Sequence, residues 1–297
     1  MARIAPLDFE AFTRRRTAER AGASDGDDER AYSYVSDRTT RAAFARVKPV
    51  ELAVAATVRA WKAVEKNRLL GQSVKVGPTQ FPRVWELTRH AADSLGILPP
   101  TVYVVNQQTL NAMTAGTEDD SFILVHSALV DHLTDDELLD VIGHECGHVH
   151  NQHVVYLTTL HMLKQVTSMF LDWIVLPAVL ALSAWSRRAE ITCDRAGMLC
   201  CKSLDVSTRS LAKLALGSQR LYDQLDLESF VAQYDEGKLG AGRYLEAFAG
   251  HPWVPKRVVA LRAFAESRLY RRRAGLGDDG LSMSEVDEKV HEIIRVV

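Results

Sequence analysis

Between Asp140 and His153 the chain reads Asp-Val-Ile-Gly-His-Glu-Cys-Gly-His-Val-His-Asn-Gln-His, and this stretch limits what the rest of the chain can be. It contains His144-Glu145-x-x-His148. On an α-helix successive residues turn by about 100°, so His144 and His148 lie about 40° apart on one face. Two neutral imidazoles at that spacing can bind one Zn²⁺. Glu145 falls on a neighbouring part of the face. It can reach a zinc-bound water as general base but is badly placed to join the ligands.

The motif needs a helix, and the flanking residues build one. Thr134-Asp135-Asp136-Glu137 is a capping box, with Thr134 as N-cap and Glu137 reaching back. Three carboxylates follow the cap, where the helix dipole favours negative charge. Leu138, Leu139, Val141, Ile142, Cys146 and Val149 recur at helical spacing and predict a buried opposite side.

Two histidines do not complete a zinc site. A metzincin-type third histidine would stand six residues past the second, with a Gly between. Those positions hold Val154 and Asn151, which excludes that class. On a straight helix His150 and His153 turn roughly 160° and 140° away from His148, so they are expected at the surface near the helix C-terminus. A better third ligand lies in Ser186-Arg-Arg-Ala-Glu190-Ile-Thr-Cys-Asp194. Glu190 and Asp194 are i and i+4 on one helix face. Glu190 can ligate the metal while Asp194 holds the free N–H of a zinc-bound imidazole, most simply that of His144.

These stretches together resemble the gluzincin peptidases of the CAAX prenyl protease and HtpX type. The resemblance runs from about Gly77 to about Leu261. It rests on Leu98-Pro-Pro-Thr-Val-Tyr-Val-Val, Asn111-Ala-Met-Thr-Ala-Gly, Phe122-Ile-Leu-Val, Leu133-Thr-Asp-Asp-Glu-Leu, the two metal stretches, and His251-Pro252 with Arg257. Cys146 departs from the usual aliphatic residue, Cys193 from the usual Ala, and the spanning helices of membrane-bound members are not evident here. The resemblance implies that Asn111, Ala112 and Met113 form or border an edge strand that pairs with extended substrate. It implies too that His251 lies over the metal with Arg257 near it, and that both contact substrate or the developing oxyanion.

Elsewhere the composition is ordinary, 47% hydrophobic and 25% charged, and a net charge of −2 gives no general attraction to nucleic acid. Cys146, Cys193, Cys200 and Cys201 fit no Cys-x-x-Cys framework and read as reduced, mostly buried residues. Residues 1–42 are expected to be a mobile or loosely helical N-terminal arm, without the apolar core of a signal peptide. Residues 43–274 are expected to form the catalytic domain and 275–297 a C-terminal helix docked on it.

Within the domain, helices are predicted over 43–70 and 82–95. Short strands follow at 101–105, 110–114 and 121–125, with a loop or short extended segment at 71–82. After Gly197 the chain reads as helical, at 206–224, 226–235 and from Pro255 to about Arg273. The apolar stretch 165–185 lies between His148 and Glu190, which must meet at one metal. A single membrane span there is therefore excluded. Two spans need about 40 apolar residues, and only 36 residues separate His153 from Glu190. A helical hairpin beside the site is expected instead, with peripheral membrane contact as its one route to a bilayer.

The expected fold is α+β, mostly helical, with a small β-sheet packed on the His-Glu-x-x-His helix. The expected function is that of a cytoplasmic zinc-dependent endopeptidase acting on extended protein or peptide through a zinc-activated water, with one Zn²⁺ per chain. The alternative is a zinc-containing binding or chaperone-like module with little turnover.

Overall fold

The structure is a computed structural model, and it describes residues 30–44, 48–60, 67, 71–117, 120–166, 172–237 and 251–294. The first described helices are α1 (Val35–Phe44) and α2 (Lys48–Ala60). Strand β1 (Ser73–Lys75) and helix α3 (Pro82–Leu95) lead to β2 (Thr101–Val105), β3 (Ala112–Gly116) and β4 (Ser121–His126). Helix α4 (Ser127–His132) then turns the chain into α5 (Asp135–His150), the helix that carries the histidine motif. Helices α6 (Val154–Val166), α7 (Asp172–Cys201), α8 (Leu204–Leu216), α9 (Gln219–Tyr222) and α10 (Leu227–Gly237) follow. Helices α11 (Val254–Ala265), α12 (Arg268–Arg273) and α13 (Met283–Ile294) close the described chain.

The four strands form one sheet in the order β1-β2-β4-β3. β2 and β4 run parallel, and the outer pairs are antiparallel. Side chains alternate between the faces of a sheet. Accordingly Ile123 and Val125 join the main core with α5, while Phe122 and Leu124 pack on the other face with Tyr103, Met113 and Ala115. β4 is thus buried on both faces, as its unbroken apolar run requires. β3 is an edge strand, and it lies against α5 and α6.

Helix α5 begins with the expected capping box: Thr134 accepts from Glu137 N, and Glu137 Oε2 accepts from Thr134 N. It packs lengthwise on α7, and small residues set the spacing. A Cβ on Gly143 would come 2.8 Å from Cys200 Sγ, and one on Gly147 would come 2.8 Å from Ala196 Cβ. One on Gly197 would come 2.6 Å from the Asp140 carbonyl oxygen. The two backbones therefore approach to a distance that larger residues would forbid.

Three expectations need correction. From Tyr32 onward the N-terminal segment is not an arm. Tyr32, Tyr34 and Asp37 are buried, with Tyr34 N donating to Thr192 Oγ1 at 3.1 Å and Val35 N to Asp287 Oδ2 at 3.0 Å. Residues 1–29 lie outside the described residues. The long helix expected from Pro255 breaks after Ala265, because Ser267 caps a new helix by accepting from Tyr270 N. The helix expected over 206–224 stops at Gly217, which adopts φ 63°. The segment 71–82 contributes the short strand β1. Residues 167–171 of the expected hairpin lie outside the described residues. Farther along α7, Ala178, Leu182 and Trp185 are buried against Phe44, Val50 and Leu160. Among the described residues no helix is long and apolar enough to cross a membrane.

Candidate active site

Helices α5 and α7 bring His144, His148 and Glu190 together. His144 Nε2 lies 3.6 Å from Glu190 Oε2, and His148 Nε2 lies 3.6 Å from Glu190 Oε1. The three ligand atoms all fall within 4.8 Å of one another. Asp194, one turn on from Glu190, sits 3.0 Å from the other nitrogen of His144 and accepts its N–H. These groups line a cleft of about 400 Å³ together with Ala112, Met113, Glu145 and His251.

The charge balance at this site favours a dication. Glu145, Glu190 and Asp194 are buried carboxylates, and Arg257 is the buried cation that faces the last two. Against Arg257 alone two negative charges are left over, with the His144 and His251 imidazoles beside Glu190 as the other groups that can offset them. The shifts agree. Burial would lower the His144 pKa, yet Asp194 and Glu190 hold it up to about 9, so the site draws a proton when it has nothing better. Burial would raise Glu190, but His251 and Arg257 hold its carboxyl well below the usual range. Two imidazoles and a carboxylate form a set suited to Zn²⁺, with room for a fourth, exchangeable ligand.

The remaining expected residues fall around this centre. Asn111 directly precedes β3, and its carbonyl accepts from His126 N at 3.1 Å. At the far end of β3 the Gly116 N–H turns outward to Thr158 Oγ1 at 3.1 Å. Antiparallel strands alternate inward- and outward-bonding residues. By that alternation Ala112 and Thr114 present their N–H and C=O along the open edge, beside the histidines. His251 is largely exposed, with its Nδ1 2.8 Å from Glu190 Oε2. Arg257 is buried, and its Nε donates to Asp194 Oδ2 at 2.8 Å and its Nη2 to Asp194 Oδ1 at 2.5 Å, with Glu190 Oε2 at 3.3 Å. Arg257 also lines the cleft, and its guanidinium pairs with Asp194 and Glu190.

Several neighbours were not foreseen. Thr114 Oγ1 donates to Glu145 Oε2 at 2.6 Å, so the edge strand orients the carboxylate as well as lining the cleft. His150 and His153 are buried, which overturns their expected surface placement. His150 Nδ1 lies 2.9 Å from Tyr32 OH. The helix ends at His150, and Gln152 takes φ 59°, so the chain folds His153 back beneath His148 instead of carrying it onward. The four cysteines are free, and burial pushes the Cys146 thiol well up.

Comparison with known proteins agrees with this geometry. Peptidase family M48 matches residues 78–265, more than half of the chain. A plastoglobule-localized metallopeptidase 48 from Arabidopsis thaliana is 35% identical over 168 residues, covering 55% of this chain and 49% of its own length. The chain thus spans about half of that relative. A Protease HtpX homolog from Tropheryma whipplei is 23% identical over 224 residues, covering 65% of this chain and 76% of its own. Another from Moorella thermoacetica is 25% identical over 230 residues, with 67% and 77% covered. No solved structure matches the chain. With a matching domain that includes α5 and α7, and relatives named as a metallopeptidase and as proteases, the chain belongs to peptidase family M48.

Proposed function

We propose that this chain is a zinc-dependent endopeptidase that cleaves extended protein or peptide segments. The observation that carries the reading is the convergence of His144, His148 and Glu190 beside a buried Glu145 and the open edge of β3. His144, His148 and Glu190 would hold zinc, which when bound would supply Lewis acidity toward a water and a carbonyl oxygen. Glu145 takes a proton from the attacking water and delivers it to the leaving amine. The edge groups of Ala112 and Thr114 align the peptide backbone as an added strand, with Asn111 and Met113 flanking it. His251 reaches over the cleft and donates to the developing oxyanion. Asp194 orients His144, and Arg257 keeps Asp194 and Glu190 in place.

A zinc-holding binding module would not need Glu145 fixed by a hydrogen bond from Thr114. Leu176 and Leu180 are exposed near the start of α7, and peripheral membrane contact there is part of the proposal. The deciding experiment pairs metal analysis with a quenched-peptide assay. Glu145→Gln should keep one zinc per chain and lose turnover, whereas Glu190→Ala should lose both. Full zinc affinity in Glu190→Ala would remove Glu190 from the ligands and sink this reading.

A further inference from the structure

His148 has two ring nitrogens, and only Nε2 faces the cleft. Its Nδ1 points into the protein, 3.2 Å from His153 Nδ1 and 3.2 Å from Cys193 Sγ. His153 is 1% exposed. Its Nε2 lies 3.1 Å from Asp37 Oδ2 on α1, an ion-pair contact, and among the described residues that nitrogen has no partner in regular hydrogen-bond geometry. Asp37 is itself 0% exposed and is fixed by two more donors: Trp185 Nε1 to Oδ1 at 2.8 Å and Thr192 Oγ1 to Oδ2 at 2.6 Å.

For a neutral His153, the donors and acceptors in this chain allow one consistent assignment. Asp37 accepts from both Trp185 Nε1 and Thr192 Oγ1, as a carboxylate does, and these bonds favour its charged form. A carboxylate only accepts, so the nitrogen facing it, His153 Nε2, carries the proton. A neutral imidazole protonated on Nε2 has a bare Nδ1. Two bare nitrogens 3.2 Å apart would repel, so His148 carries its proton on Nδ1 and leaves Nε2 bare. That bare nitrogen is the one that faces Glu190 and the metal position.

We infer that His153 and Asp37 are positioning residues for His148, forming a carboxylate–imidazole–imidazole chain that fixes the tautomer and ring plane of the second metal histidine. The inference rests on the proposed zinc reading of His144, His148 and Glu190. It gives the site two different supports. Asp194 holds His144 directly, whereas Asp37 acts on His148 through a neutral ring. It also makes α1 a working part of the metal centre, although α1 lies before the region matched by the family.

The same atoms suggest a rival use. Donor atoms of His148, His153 and Cys193 fall within 4.8 Å of one another and could gather around a cation of their own. That would need a bare His148 Nδ1. Unless the ring bridged two ions, His148 Nε2 would then keep its proton and leave the first site.

The test uses the full chain. His153→Leu removes the acceptor, while His153→Gln keeps a carbonyl oxygen that can take the His148 proton. Zinc affinity, read by competition with a chromophoric chelator, should fall about 10–100-fold in His153→Leu. His153→Gln should recover most of that loss, and the visible spectrum of the cobalt-substituted leucine variant should shift. Unchanged affinity and spectrum in His153→Leu would overturn the inference. So would a glutamine variant as weak as the leucine one, since packing alone would then explain the loss.

If the leucine variant does not fold, the native zinc-loaded chain decides. Proton–nitrogen correlation spectra of its histidine rings should show His153 protonated on Nε2 and His148 on Nδ1. A His153 proton on Nδ1 overturns the assignment. Two zinc ions per chain, one of them lost in Cys193→Ser, would overturn it in favour of the rival site. Failure of the zinc reading is separable: a native chain that binds no zinc sinks both readings. Zinc lost in His148→Ala but unmoved in His153→Leu sinks only this one.

Discussion

Glu145 must keep its carboxylate aimed at the cleft while almost wholly buried, and Thr114 Oγ1 does this at 2.6 Å. Hydrogen bonds to charged groups contribute about 1.5–3 kcal/mol. Thr114→Val should therefore lower kcat roughly tenfold or more, with KM and zinc content nearly unchanged; steady-state kinetics on a quenched peptide would show it. A normal kcat would leave Thr114 with a purely structural part. Thr114 could not be read from the sequence, because its contact depends on how β3 sits against α5. Helical spacing puts His144 with His148, and Glu190 with Asp194, each pair on one helix face, and the meeting of the two faces was expected only by pairing the two stretches. His153 was not legible: its direction depends on where α5 stops and on the left-handed Gln152. Arg257 stood out only through a resemblance, which says where a residue recurs and not which atoms it touches.

At the scale of elements, the site depends on how closely α5 and α7 approach. A Cβ at Gly197 would meet the Asp140 carbonyl oxygen at 2.6 Å, and backbone cannot step aside as a flexible side chain can. Gly197→Ala should cost about 1–3 kcal/mol of stability. By separating the helices it should also weaken zinc binding, and denaturant melts with and without metal would measure both effects. An equal or higher stability would show that the helices are not held at contact. Element identity was largely readable. The capping box announced α5, Gly96 at φ 67° closes α3 where a glycine stood ready, and period-two runs marked β2, β3 and β4. Interruptions were harder. Ser267 and Gly217 break helices by local capping, and the apolar periodicity that joins their flanks hides this. β1 has only three residues, too few to set a period.

Over the whole molecule, the carboxylates of Glu145, Glu190 and Asp194 outnumber the Arg257 guanidinium between α5, α7 and α11, and a bound dication would offset them. A ligand present at a thousand times its Kd stabilises the native state by about 4 kcal/mol. For a chain of this size that corresponds to roughly 8–16 °C. Stripping the metal with a chelator should lower Tm by about that much, and readding zinc should restore it. A Tm that does not move would mean that the charges are balanced in another way. The charged stretch before Tyr32 looks like a tail, and that composition hid the docked segment just after it. Asp37 meets Trp185 and Thr192 across 148 and 155 residues of chain, and Val35 meets Asp287 across 252. During synthesis, then, α1 emerges before every one of these partners. Until Trp185 and Thr192 have emerged Asp37 is without the two donors that fix it, so on the inference drawn above translation order delays the support of His148.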